Sequence, residues 1–127
     1  MIDHVSIPVR DLARATTFYD EVFVPLAMTR LVTREATAGY GKKYPEFWLN
    51  LRTEVLAVGN PGGHVCLRAP DADSVRDFHA RALALGATDE GSPGDRQAAM
   101  TTYFGAFIID PDGNKIEAVS FPRRASE

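Results

Sequence analysis

From His4 to Val9 the chain alternates. Val5, Ile7 and Val9 are apolar, while His4, Ser6 and Pro8 fall between them. That is the two-residue period of a strand with one buried face. Asp11 follows as a fair N-cap, its short carboxylate able to accept from the free amides of a first turn. Leu12, Ala15, Phe18, Tyr19, Val22 and Phe23 then recur at helical spacing, and Pro25 stops the helix. Two or three strands are read in "LAMTRLVTRE", "TAGYGKK" and "EFWLNLR". "VGNPGG" reads as a linker because it is rich in turn formers.

The plan then returns. His64 to Ala69 alternates again, with Val65, Leu67 and Ala69 against His64, Cys66 and Arg68. Pro70, then Asp71 or Asp73, start a helix striped by Val75, Phe78, Ala82 and Leu85, and Gly86 is a natural C-terminal cap. "DEGSPGDRQ" is read as a loop, and "YFGAFIID" and "NKIEAVSF" as strands joined by the turn "DPDGN". A shift of sixty positions aligns His4 with His64, Val5 with Val65, Asp11 with Asp71, Phe18 with Phe78 and Ala27 with Ala87, without a gap. The expectation is an α+β domain spanning 1–127, built from two βαβββ modules at roughly 1–58 and 63–121.

Composition narrows the partners. The 127 residues suit one compact domain, and a net charge of −3 makes no electrostatic case for nucleic acid or an anionic membrane. No apolar run reaches the length of a membrane-spanning helix. The N-terminus lacks the basic-then-apolar pattern of a signal peptide. Cys66 is the single cysteine, so no internal disulfide forms. A reducing, cytoplasmic setting is expected. Arg123, Arg124 and Glu127 read as a frayed tail.

Alternation also sorts the chemistry. The face holding Val5, Ile7, Val9 and Val65, Leu67, Ala69 must cover the helices. His4, Ser6, His64, Cys66 and Arg68 therefore point away from them. In the last strand Ile116 and Ala118 suit one face, and Lys115, Glu117 and Val119 the other. If the two sheets curl toward each other, His4, His64 and Glu117 look into one concavity. Two imidazoles and a carboxylate there can bind a divalent first-row metal with positions left open for substrate. Singly, each His reads as an ordinary surface residue; the repeat is what links them. Glu117, flanked by Ile116, Ala118 and Val119, needs a partner.

These residues resemble the vicinal oxygen chelate superfamily, which includes glyoxalase I, bleomycin- and fosfomycin-resistance proteins and extradiol dioxygenases. The matching parts are "DHVSIPVRDLARATTFYDEVFVPL", "GHVCLRAPDADSVRDFHARALALGA" and "YFGAFIIDPDGNKIEAV". The resemblance implies paired βαβββ modules forming a curved mixed-sheet cup around a metal. His4, His64 and Glu117 match ligand positions on first and last strands. The fourth ligand position falls in "EFWLNLR", nearest Trp48 to Asn50, where glyoxalase I carries a Glu implicated as the proton-moving base. No clear carboxylate stands there, with Glu46 a weak candidate. That departure puts glyoxalase I isomerisation in doubt and leaves the ligand pattern of an extradiol iron site.

Such chemistry needs an acid or base near the metal, and Tyr103 or Tyr40 could serve. His79 is read as a solvent-facing helix residue and is not recruited. Phe47 is assigned to the core, Asn50 to the cup wall, and Trp48 either to an aromatic wall of the cup or to plain filling of the cup or an interface. Cys66 shares the face of His64 and is read chiefly as a small buried filler. Arg68 is placed to meet a substrate carboxylate or, as the blander reading, to form a rim salt bridge. Tyr40, Lys42, Lys43 and Tyr44 form a segment that could edge the opening, or an ordinary solvated loop.

The reading is a metal-dependent enzyme holding one divalent ion (Fe, Mn, Ni or Zn) in His4, His64 and Glu117. It acts as a lyase, isomerase or ring-cleaving dioxygenase on a small oxygenated substrate. Glu117 and Tyr103 are the catalytic candidates, and Trp48, Asn50, Cys66 and Arg68 the substrate contacts. The rival is a metal-free binding protein that sequesters a small molecule such as an antibiotic. Analogy with short two-module proteins implies a homodimer, with each cup closed within one chain or across two.

Overall fold

The computed structural model describes residues 1–54 and 62–122. The expected module limit at 58, residues 58–61 of the linker and the tail from Arg123 lie outside the described residues. The order of elements is β1 Val5–Val9, α1 Leu12–Val22, a 3-10 turn Val24–Leu26, β2 Thr29–Thr33, β3 Thr37–Gly41 and β4 Phe47–Leu51. After them come β5 Val65–Arg68, α2 Ala72–Ala84, β6 Thr88–Gln97, β7 Thr102–Ile109 and β8 Lys115–Ser120. This is βαβββ twice. Each module is a four-stranded mixed sheet, ordered β1-β4-β3-β2 in the first and β5-β8-β7-β6 in the second. In each, the first strand runs parallel to the last and the other pairs are antiparallel.

The local signals act where the residues predict. The Asp11 side chain accepts from the Arg14 amide, and the Asp71 side chain from the Ser74 amide, so both helices start on a carboxylate cap. Pro25 sits in the first turn of the 3-10 segment, after α1 has ended. Gly86 has φ +101°, the left-handed conformation that ends α2 at little steric cost.

Each helix covers one face of its own sheet. Phe18, Tyr19, Val22 and Phe23 pack on Tyr40, Phe47 and Leu49, all at or near zero exposure. Their rings interlock: Phe23 meets Phe47 edge-on at 5.0 Å, and Tyr19 lies 5.4 Å from Phe47. In the second module Val75, Phe78 and Ala82 pack on Ala106, Ile108, Ile116 and Ala118. Each large apolar side chain so buried contributes about 1.5–3 kcal/mol.

The modules meet through α1, α2 and the 3-10 turn, and through the hairpin between β7 and β8. That hairpin turn reaches into the first module. Asp110 is buried and accepts from the Tyr19 hydroxyl at 2.6 Å, from the Asn114 amide side chain, and from the backbone amides of Asp112 and Asn114. Asn114 also donates to the Pro8 carbonyl, while Arg10 pairs with Asp112. Burial pushes the Asp110 carboxyl up, opposed by these donors. An Arg81–Glu21 ion pair bridges the two helices at 2.7 Å.

One segment corrects the sequence reading. "DEGSPGDRQ", expected as a loop, lies in the ten-residue strand β6. Its composition is poor for a strand. It sits at the sheet edge, however, and register shifts between Asp89, Gly91 and Gly94 absorb its irregularity.

Candidate functional site

The helices cover one face of each sheet and leave the other open. On the second sheet, pairing sets Cys66 beside Glu117, and Glu117 beside Phe107. Glu117 is the carboxylate at the centre of this face, its side chain only 5% exposed. His64 Nε2 lies 3.1 Å from Glu117 Oε1, and the Tyr103 hydroxyl donates to Oε2 across 3.2 Å. The partner that a charge on this strand needs is therefore present twice over. The His64 ring stands edge-on to Phe107, 5.4 Å between centroids. Desolvation, then the Glu117 carboxylate, raise the Tyr103 hydroxyl above its ordinary range.

Cys66 departs from its expected role as a buried filler. It is exposed as a residue. Around its sulfur, burial first and Glu117 second push the thiol up to about 12, so it is a protonated neighbour and no ready nucleophile. Arg68 is not in a rim salt bridge among the described residues. Its guanidinium lies 4.8 Å from the centre of the Phe121 ring, which in turn packs 5.7 Å from Tyr103.

On the first sheet the open face carries Ser6, Trp48, Asn50 and Gly39. Trp48 is partly exposed, and a Cβ on Gly39 would come within 3.0 Å of its ring, so the indole sits directly against that glycine. Asn50 stands beside Pro8 and Thr37. His4, half exposed, has Nδ1 2.7 Å from Asp3 Oδ1. The Glu46 carbonyl accepts from the Val5 amide, and the Glu46 side chain is exposed.

Of the expected trio, then, His64 and Glu117 touch. His4 lies at the matching place on the other sheet. Among the described residues no three His, Cys, Asp or Glu side chains gather as a metal cluster. The register also settles which residue matches Glu117. Ser6 pairs with Trp48 as Cys66 pairs with Glu117. Since Ser6 and Cys66 are equivalent in the repeat, Trp48 occupies the position in the first module that Glu117 holds in the second.

Two other readings are corrected. Tyr40 is fully buried under α1, donating to Asp20 at 2.8 Å, and burial raises its hydroxyl. It is therefore on the covered side, away from the open face. His79 is buried, not solvent-facing, with Nε2 2.9 Å from Asp89. The sequence reading put Lys115 on the face of Glu117 but missed Phe107 and Arg96 there. Arg96 and Lys115 both lie against the Phe107 ring, at 5.7 and 4.8 Å. Strand parity around Glu117 carried that signal.

A cis pair of bonds of about 2.1 Å puts two donor atoms about 3.0 Å apart. The observed His64–Glu117 separation of 3.1 Å fits one edge of such a coordination shell. An imidazole nitrogen and a carboxylate oxygen are also suitable donors for a first-row divalent ion.

Comparison with known proteins agrees with the fold. The sequence profile of the glyoxalase-like domain matches residues 4–119. A protein described as a probable lactoylglutathione lyase from Synechocystis sp. is 30% identical over 132 residues, covering 91% of this chain and 92% of that protein. The crystal structure of a glyoxalase/bleomycin resistance protein from Albidiferax ferrireducens superposes with a TM-score of 0.85 at 29% identity, over 94% of this chain and 98% of that one. A fosfomycin resistance protein from Listeria monocytogenes shares the fold, with a TM-score of 0.70 at 15% identity over 96% and 93% of the two chains. The chain belongs to the glyoxalase-like domain family, within the vicinal oxygen chelate superfamily.

Proposed function

We propose that this protein is a metal-dependent small-molecule enzyme whose site is centred on His64 and Glu117. The observation that carries the reading is their 3.1 Å contact on an open sheet face, with Tyr103 on the second carboxylate oxygen. His64, Glu117 and His4 hold one divalent ion, Fe, Mn, Ni or Zn. Once bound, the ion supplies Lewis acidity for a substrate that chelates through neighbouring oxygens. Tyr103 presents its hydroxyl as a proton donor beside the reacting group and holds Glu117 in orientation. Trp48 and Asn50 form the wall contributed by the first module, and Cys66 and Arg68 the wall beside His64.

His4 and the His64–Glu117 pair sit on separate sheets, and no third donor joins the pair within the chain among the described residues. This supports a homodimer in which each cup takes the first module of one chain and the second module of its partner. Trp48 at the position matching Glu117 puts an indole where a second carboxylate would stand to move a proton between adjacent carbons. That favours a lyase or ring-cleaving reaction over isomerisation by such a base.

The test uses protein purified without a histidine tag and equilibrated with micromolar Fe, Mn, Ni or Zn. One ion per chain is expected by elemental analysis. His64→Ala, Glu117→Gln and His4→Ala should each abolish binding. Co-refolding His4→Ala with His64→Ala chains should restore binding, because a mixed dimer holds one cup with both histidines intact. No restoration would place His4 and His64 of one chain in one cup. No binding by the native protein would favour sequestration of a ligand without metal.

A further inference from the structure

We infer that the open face of the second sheet selects a small organic oxyanion, with Arg68 as its anchor. The inference deepens the function proposed above and rests on this face being the ligand cup. The protein as a whole is acidic, with a net charge of −3. This face has the opposite sign. Arg68, Arg96 and Lys115 surround Glu117, and none of the three pairs with a carboxylate among the described residues. Elsewhere Arg10, Arg30, Arg76 and Arg81 each find one, while Arg34 rests on Trp48; what sets this face apart is three cations gathered around one carboxylate.

The three cations rest against rings instead. Arg68 lies over Phe121, and Arg96 and Lys115 lie over Phe107. Ring contact fixes a cation's direction without neutralising it. Arg96 donates to the carbonyls of Gly94, Gly105 and Ser92, so its charge is a fixed part of the wall. Among the described residues Arg68 has no such acceptors. Its fork is free for a bidentate partner, and Phe121 holds it at the Tyr103 end of the face.

Spacing sets the size of the ligand. Arg68 pairs with Val119, two residues along the sheet from the Cys66–Glu117 pair. Two residues of strand span about 6.6 Å. A molecule whose chelating oxygens sit at His64 and Glu117 therefore reaches the guanidinium with an anionic group a few bonds away. The shared chemistry is a carboxylate or a phosphonate on a compact, flat body that can lie against Phe107.

The experiment compares two oxyanions with a near-isosteric neutral amide. Binding of 3,4-dihydroxybenzoate, 3,4-dihydroxybenzamide and 3,4-dihydroxyphenylphosphonate to zinc-equilibrated protein is measured by calorimetry. Benzoate, benzamide and phenylphosphonate are titrated onto protein without added metal, followed by NMR shifts of the backbone amides of Cys66 and Val119, which parent and variant share. The anions should bind about ten-fold or more tightly than the amides in both series. Arg68→Met should reduce that ratio to near one while the native fold and zinc content stay unchanged. The carboxylate and phosphonate arms identify which oxyanion fits better. Equal binding of acid and amide, or discrimination that survives Arg68→Met, overturns the inference. If zinc is not bound yet benzoate is still preferred over benzamide through Arg68, the metal reading fails and the anion selectivity stands.

Discussion

The Tyr19 hydroxyl donates to Asp110 Oδ2 across 2.6 Å, tying the helix of the first module to the hairpin turn of the second. Both groups are buried. The contact therefore bears on how the two open faces are held, because β8 carries Glu117 straight out of that turn.

Removing the acceptor should loosen the joint. Asp110→Ala strands the Tyr19 hydroxyl and two backbone amides, and should lower stability by about 2–4 kcal/mol in urea titrations. Tyr19→Phe leaves Asp110 its other donors and should cost about 1–2 kcal/mol. The double variant should lose less than the sum, since the two groups share one interaction.

Gly41 offers a steric test. A Cβ there would lie 1.9 Å from the Tyr44 carbonyl oxygen, which is backbone and must move bodily. Gly41→Ala should cost about 2–3 kcal/mol of stability. At Gly94 the nearest heavy atom would be 3.7 Å away. Gly94→Ala should accordingly stay within about 0.5 kcal/mol of the parent.

Acid should release the clamp between α2 and β6. Hydrogen bonds from His79, Ser92 and the Gly91 amide hold the Asp89 carboxyl below its ordinary value of 3.8. A carboxyl depressed in the fold adds stability that is whole above its unfolded pKa and disappears as pH falls through the folded one. Asp89→Asn should melt below the parent at neutral pH. The gap should close as the pH is taken well below 3.8. A gap that is constant across the series would count against the clamp.

Tyr103 should tune the metal without holding it. Tyr103→Phe removes the donor to Glu117 Oε2. Metal content at saturation should be unchanged while affinity falls about ten-fold, the usual effect of losing an outer partner. Competition with a chromophoric chelator reads this directly.

The module plan was legible because it is written in short-range rules. Alternation fixed the faces of β1, β5 and β8, and the aspartate caps and Gly86 fixed the helix ends. What was not legible depends on neighbours across the sheet. Tyr40 lies between Gly39 and Gly41, so its strand shows no alternation of side chains to reveal which side is covered. His79 completes a Val75, Phe78, His79, Ala82 stripe, but its polarity masked that spacing until Asp89 appeared opposite it. The strand character of β6 comes from ten residues pairing with β7 despite their Gly, Pro and Asp content. Trp48 matches Glu117 through strand register, which no reading of one strand supplies.

The turn that carries Asp110 also closes an exposed edge. In β1 the odd residues bond to β4, as the Val5 amide and Val9 carbonyl do, so Ser6, Pro8 and Arg10 direct their main chain outward. Pro8 has no amide hydrogen, its carbonyl is taken by Asn114, and the Arg10 amide is taken by Asp112. Stray strands thus find little of β1 to zip onto, and the protein is guarded at that margin against aggregation by edge-to-edge addition.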